Sequence, residues 1–200
     1  MKEHVIYLKQ EILNKLEDAR SMDLVDEEVL PLLDAINSLE DAVTTSSCSG
    51  RVQLIQVPDL GDKLGSNILG KWHRTVSSEE VLEALEKWDG EGQVHLLVQP
   101  LLVHLRCRDL ETAVRLRNFA QESGMKFSTI RSVKLGRNNE PLEFGIVVEF
   151  LGTERMEVPL QGKDRDLLPR IIPPLVEHGN ELIARTKARI PEMTAAIGDL

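Results

Sequence analysis

Three runs rich in β-branched and aromatic residues, Phe127 to Leu135, Phe144 to Leu151 and Arg155 to Leu160, are punctuated by Gly136-Arg137-Asn138-Asn139 and by Gly152-Thr153. Turns this short reverse a chain without carrying it across a sheet, so the three runs are expected as antiparallel neighbours. The β region begins near Val43. Arg51 to Val57 alternates β-branched with polar side chains, Leu69 to Val76 reads as another strand, and Val94 to Val98 and Leu101 to Cys107 are extended segments on either side of Pro100.

Helical spacing appears elsewhere. Val5, Leu8, Ile12, Leu13 and Leu16 mark a first helix, and Leu30, Leu33, Ile36 and Leu39 a second that starts from about Pro31, where proline suits the first turn. Ser77 with Glu80 forms a capping-box pattern ahead of Val81, Leu82, Leu85 and Trp88. A helix from about Asp109 to Ser123 stops at Gly124, and Pro173 to Ile190 closes the chain as a helix. The helix between Cys107 and Phe127 is long enough to serve as a crossover to a parallel strand. The expected fold class is therefore α+β, with a mixed, largely antiparallel sheet or barrel-like sheet flanked by helices. At 200 residues and 42% hydrophobic, the chain suits a single domain over 1–200, made of a helical pair (1–41) and an α+β body (42–200).

Several classes fall away. No strand-linked Gly-x-Gly-x-x-Gly loop is present, so the Rossmann nucleotide-binding fingerprint is missing. Two distant cysteines, Cys48 and Cys107, and five histidines without ligand spacing give no metal site. The most apolar stretch, Val94 to Leu105, is interrupted by His95, Gln99, Pro100 and His104 and is too short to span a membrane. With a charged, amphipathic beginning and few cysteines, a cytoplasmic protein is expected.

The net charge of −9 argues against a polyanionic partner only until its distribution is considered. Residues 1–41 hold 4 of the 24 basic and 11 of the 33 acidic side chains, so −7 of the −9 lies in the helical pair. Residues 106–137 carry 8 basic against 3 acidic side chains, including Arg131, Lys134 and Arg137. That segment is a candidate phosphate-facing surface or simply a solvated helix and strand edge.

The run Thr44-Thr45-Ser46-Ser47-Cys48-Ser49-Gly50-Arg51 concentrates hydroxyls before a guanidinium. It reads either as a Ser-rich turn or as a polar cradle, in which hydroxyls and Arg51 hold a carboxylate or phosphate. In its order, the run resembles the signature of the wybutosine-synthesising protein 3 family. The likeness continues through Gly70-Lys71-Trp72-His73, Leu102-Val103-His104-Leu105, Ser123-Gly124-Met125-Lys126-Phe127-Ser128, Glu157-Val158-Pro159-Leu160 and Gly179-Asn180-Glu181-Leu182. Thr44 stands where the family often has Ser, the Trp72-His73 pair resembles archaeal members, and Val148-Glu149-Phe150 replaces a segment that carries an Arg in eukaryotic ones.

The resemblance implies an S-adenosyl-L-methionine-dependent methyltransferase acting on the N(4) ring nitrogen of a wyosine-type base, 7-aminocarboxypropyl-demethylwyosine, beside the anticodon of tRNA-Phe. Methyl transfer from a sulfonium needs alignment and the loss of one proton from the attacking nitrogen. His73 is the first candidate for that proton and His104 the second. Thr44, Ser46, Ser47, Arg51, Trp72, His104 and Ser128 are expected to bind the substrate or S-adenosyl-L-methionine, with Trp72 as a stacking plane, and Arg131, Lys134 and Arg137 to touch tRNA. Cys48 is read as packing. Two other readings compete: a non-catalytic tRNA-binding protein that presents its substrate to another modification enzyme, and a thiol enzyme using Cys48.

Overall fold

The structure, a computed structural model, describes residues 2–58, 65–160, 165–198 and 200. In chain order its elements are α1 (Lys2–Ser21), α2 (Leu30–Ser38), β1 (Ala42–Cys48), β2 (Arg51–Val57), β3 (Asn67–Trp72), α3 (Ser78–Leu85), β4 (Gln93–Gln99), β5 (Leu102–Cys107), α4 (Leu110–Glu122), β6 (Thr129–Leu135), β7 (Pro141–Leu151), β8 (Met156–Pro159) and α5 (Leu168–Ile197). They build two compact units. One comprises Met1–Ser49, Leu101–Thr153 and Lys187–Leu200, the other Gly50–Pro100 and Glu154–Thr186.

The first unit holds a four-stranded sheet in the order β1-β5-β7-β6. The helix expected as a crossover, α4, does link two strands of the same direction, β5 and β6. β7 inserts between them, so every ladder is antiparallel. The sheet stays open rather than closing as a barrel. Strand alternation sends Val103, Leu105 and Cys107 of β5 and Ile146, Val148 and Phe150 of β7 into the core with Leu33, Ile36, Leu116 and Met125. α4 is set by its ends. The Asp109 side chain accepts from Thr112 N at 2.9 Å, which holds its carboxyl below the usual range, and Gly124 leaves the helix at φ +90°. A Cβ at Gly124 would also lie 1.8 Å from the Arg189 guanidinium.

The Ser-rich run is not a loop. Thr44 to Cys48 lies within β1, an edge strand paired with β5 from Ala42↔Cys107 to Cys48↔Leu102, with a register shift between Thr44 and Ser46. Edge position explains why a strand tolerates so many hydroxyls: one side of each residue faces solvent or side-chain partners instead of another strand. β7 also begins earlier than its apolar pattern indicates. Leu135 pairs with Pro141, and Phe144 turns the strand at φ +53°.

The second unit holds the antiparallel order β3-β2-β4-β8. Leu54, Leu96, Val98, Ile172 and Ile183 form its core. The capping box before α3 is present, with Ser77 Oγ accepting from Glu80 N at 3.2 Å and Glu80 Oε2 from Ser77 N at 2.9 Å. Asn180 of α5 brackets Val76, accepting from its N–H at 2.9 Å and donating to its carbonyl at 2.8 Å. Within that unit, the Gly179-Asn180 block therefore anchors the chain between β3 and α3. Among the described residues no helix is long and apolar enough to cross a membrane.

Candidate active site

Strand periodicity creates a polar row on the coreless face of the first sheet. In β5 the alternation that buries Val103 and Leu105 turns His104 and Arg106 the other way, so His104 stands outside the core despite its apolar neighbours. The register then aligns Ser46 of β1, His104 of β5, Glu149 of β7 and Thr129 of β6. Ser46 Oγ lies 2.9 Å from His104 Nδ1, and His104 Nε2 lies 2.6 Å from Glu149 Oε2. Arg131 reaches the same Glu149 oxygen at 2.6 Å. The Thr45 hydroxyl donates to the His104 carbonyl at 3.2 Å and pins that backbone to β1. Exposure grades along the row. The Glu149 side chain is 8% exposed, His104 23% and Arg131 58%.

Beside Ser46 opens a cavity of about 420 Å³ within the first unit. One wall is apolar, from Leu16 and Ala19 of α1 with Leu24 and Val25, and the other carries Thr44 to Ser47 and Arg106. Its volume is in the range of small-molecule sites, roughly 300–1,000 Å³. Thr44 shapes the hydroxyl wall because Asn37 of α2 holds it, with Thr44 N donating to Asn37 Oδ1 at 2.8 Å and Asn37 Nδ2 to Thr44 Oγ1 at 2.9 Å.

The sequence-derived candidates divide accordingly. Thr44, Ser46 and Ser47 line the cavity, and Ser46, His104 and Arg131 share one hydrogen-bonded row. Arg131 is thus engaged by a carboxylate of its own chain, whereas Lys134 and Arg137 are exposed on and just beyond β6. Ser128 turns inward. It is 3% exposed, and its hydroxyl accepts from Leu151 N at 3.1 Å, which fastens the loop after α4 to β7.

In the second unit Arg51 opens β2 instead of lying in a loop, half-buried, with Nε donating to Gln99 Oε1 at 2.5 Å across the β2–β4 pair. Trp72 ends β3, half-buried, its ring laid over the Gly70 backbone so closely that a Cβ there would meet Cη2 at 2.2 Å. The ring packs against the second core. His73 follows in a bend, also half-buried. Cys48 ends β1, half-buried, and Cys107 is buried, its thiol pushed up to about 12 chiefly by desolvation, with the Asp41 and Asp109 charges adding to it.

Sequence reasoning missed Glu149 and Asn37. The signal for Glu149 was a lone carboxylate among apolar residues from Ile146 to Leu151, alternating onto the same face as Val147. Only the strand register pairs it with His104.

The family model described as Methyltransferase TYW3 matches residues 7–199. The chain belongs to this family. It is a methyltransferase, and its relatives are alike along nearly their whole length. It is 41% identical to a protein of Thermococcus sibiricus over 96% of this chain and 93% of that one. With a protein of Pyrococcus horikoshii it shares 40% over 96% and 94%. Both relatives are named tRNA(Phe) 7-((3-amino-3-carboxypropyl)-4-demethylwyosine(37)-N(4))-methyltransferase, the second as number 1. Among solved structures, the PH1069 protein from Pyrococcus horikoshii superposes with a TM-score of 0.81 at 39% identity, covering 98% of this chain and 96% of that one. A hypothetical protein from Aeropyrum pernix, at 24% identity and a TM-score of 0.67 over 87% and 98%, shares the fold of this TYW3-family methyltransferase.

Proposed function

We propose that this TYW3-family chain, acting as one tRNA-methyltransferase domain in the cytoplasm, transfers a methyl group from S-adenosyl-L-methionine to N(4) of 7-(3-amino-3-carboxypropyl)-4-demethylwyosine beside the anticodon of tRNA-Phe. The observation that carries this reading is near-full-length identity of about 40% to enzymes named for that reaction. The first unit supplies a suitable place. The cavity's apolar wall suits the adenine, its hydroxyls the ribose, and Arg106, whose NH1 reaches the Phe144 carbonyl at a long 3.4 Å, the methionine carboxylate. Bound there, the donor supplies a methyl on a positively charged sulfur, with the C–S bond pair departing on that sulfur.

The chain's residues then have two tasks: to hold the acceptor ring in line and to take its proton. Two histidines compete for the second task, His73 in the second unit and His104 in the first, and His104 has a partner at each ring nitrogen, Ser46 at Nδ1 and Glu149 at Nε2. Arg51, which engages Gln99 through Nε, offers its terminal nitrogens to a carboxylate of substrate or donor. Lys134 and Arg137 face the tRNA phosphates.

Incubation with labelled S-adenosyl-L-methionine and tRNA-Phe lacking this one methyl group tests the reading. Label is expected in the tricyclic base. Tight tRNA binding without transfer would instead favour the protein that presents tRNA to another enzyme.

A further inference from the structure

We propose that Glu149 is a positioning residue for methyl transfer, fixing His104 so that its Nδ1 lone pair faces Ser46 and the Ser46–His104 pair takes the proton lost by the acceptor nitrogen. The proposal rests on the methyltransferase reading above and assigns a role to a side chain that no sequence motif singled out.

Donor and acceptor capacity decides the direction of the row. An ionised carboxylate can only accept, and Glu149 Oε2 is approached both by the Arg131 guanidinium and by His104 Nε2, each at 2.6 Å. Nε2 must then carry the hydrogen. In the neutral ring Nδ1 is left as an acceptor, so the Ser46 hydroxyl, 2.9 Å away, donates to it. Ser46 Oγ consequently turns its lone pairs outward, beside the cavity that Ser46 also lines. Every hydrogen bond in the row points inward from Ser46 through His104 to Glu149, and Arg131 closes the far end with a positive charge. The gradient of exposure fits this use, with the carboxylate almost covered and the serine exposed on an edge strand.

The step balances. The acceptor nitrogen uses its lone pair for the new N–C bond, while the C–S pair leaves with the sulfur. The N–H pair stays on nitrogen as the proton passes to Ser46 Oγ, and the serine's own proton moves to His104 Nδ1. The resulting imidazolium lies against Glu149, and its proton returns through Ser46 to water. Without Glu149 the ring has no reason to keep Nδ1 free. In Glu149→Gln an amide oxygen in the Oε2 position still accepts from Arg131 and Nε2, but it carries no full negative charge, so it holds the Nε2–H tautomer less firmly and leaves the imidazolium without its counter-charge.

The test combines nitrogen NMR with steady-state kinetics on the full chain. In ¹⁵N-histidine-labelled protein at neutral pH, His104 is expected protonated on Nε2 in the wild type and in Glu149→Asp, with a larger share of the Nδ1 tautomer in Glu149→Gln. With S-adenosyl-L-methionine and tRNA-Phe lacking the methyl group, Glu149→Gln should lose about 10²- to 10⁴-fold in kcat, the range of a general base. Both KM values should stay within about threefold, and Glu149→Asp should recover part of kcat. Ser46→Ala, at an exposed position that does not threaten folding, should lower kcat without altering the His104 tautomer bond to Glu149. The proposal is overturned by a wild-type His104 protonated on Nδ1, or by a Gln variant and a Ser46→Ala variant that both keep kcat within about threefold. A wild type that never methylates this tRNA overturns the functional reading and this role with it, and is told apart because no variant is needed to see it.

Discussion

Replacing Asn37 with alanine should loosen the wall of the cavity in a way one amide can report. Thr44 is 3% exposed, and its N–H points away from β5 to Asn37 Oδ1 at 2.8 Å, so the alanine variant strands a buried donor on an edge strand. Leaving such a group unsatisfied costs about 1–3 kcal/mol. If the segment instead opens to water, that cost appears as a local opening equilibrium raised about 5- to 160-fold. Amide hydrogen exchange followed by NMR reads this directly, with the Thr44 amide exchanging faster by that factor and the amides of β7 unchanged. Asn37→Asp keeps an acceptor for the N–H and should retain most of the protection. Equal Thr44 exchange in wild type and Asn37→Ala would refute the reasoning, since strand pairing alone would then protect β1.

Neutralising Lys134 and Arg137 should flatten the slope of log tRNA affinity against log salt by up to about 1.8 on duplex, near 0.9 per phosphate, while adding an Arg131 substitution contributes little because Glu149 already engages that charge. Fluorescence titration over a salt series checks it. Cys107, its thiol raised to about 12, should resist iodoacetamide at neutral pH in the folded protein and react once denaturant exposes it, as read by mass spectrometry. Glu80 is drawn down to about 2 from 4.5, first by its hydrogen bond from Arg74 and then by the Ser77 N–H. A lowered folded-state value means stability present above about pH 4.5 and lost as pH falls toward 2, so the stability gap between wild type and Glu80→Gln should shrink over that window in urea titrations.

Local signals carried the elements whose chemistry is self-contained. β2 spans Arg51–Val57 as its alternation indicates, the Ser77–Glu80 box caps α3, and α4 runs between Asp109 and Gly124. Elements governed by distant partners were harder to read. The Thr44–Cys48 run has turn-like composition and becomes a strand because β5 pairs with it and Asn37 covers its edge. Pro173 looks like a helix start, yet α5 begins at Leu168 and continues through Pro191 to Ile197. An interior proline costs about 3 kcal/mol, and burial of Ile190, Met193 and Ile197 offsets it at roughly 1.5–3 kcal/mol each. The family likeness pointed to Ser46 and His104, whose side chains lie 2.9 Å apart. The carboxylate of Glu149 beside His104 depended on β5–β7 register, which no motif encodes.

The first unit is assembled from three separate stretches of chain, and its core includes Ile190, Met193 and Ile197. During synthesis, the acidic helices and the serine strand therefore emerge long before the side chains that complete their core. The second unit can be finished once Thr186 has been made, because its residues end there. A chain cut after Thr186 would keep every residue of the second unit and lose Ile190, Met193 and Ile197 from the first, leaving one complete core and one open core behind a hydroxyl-lined wall already made.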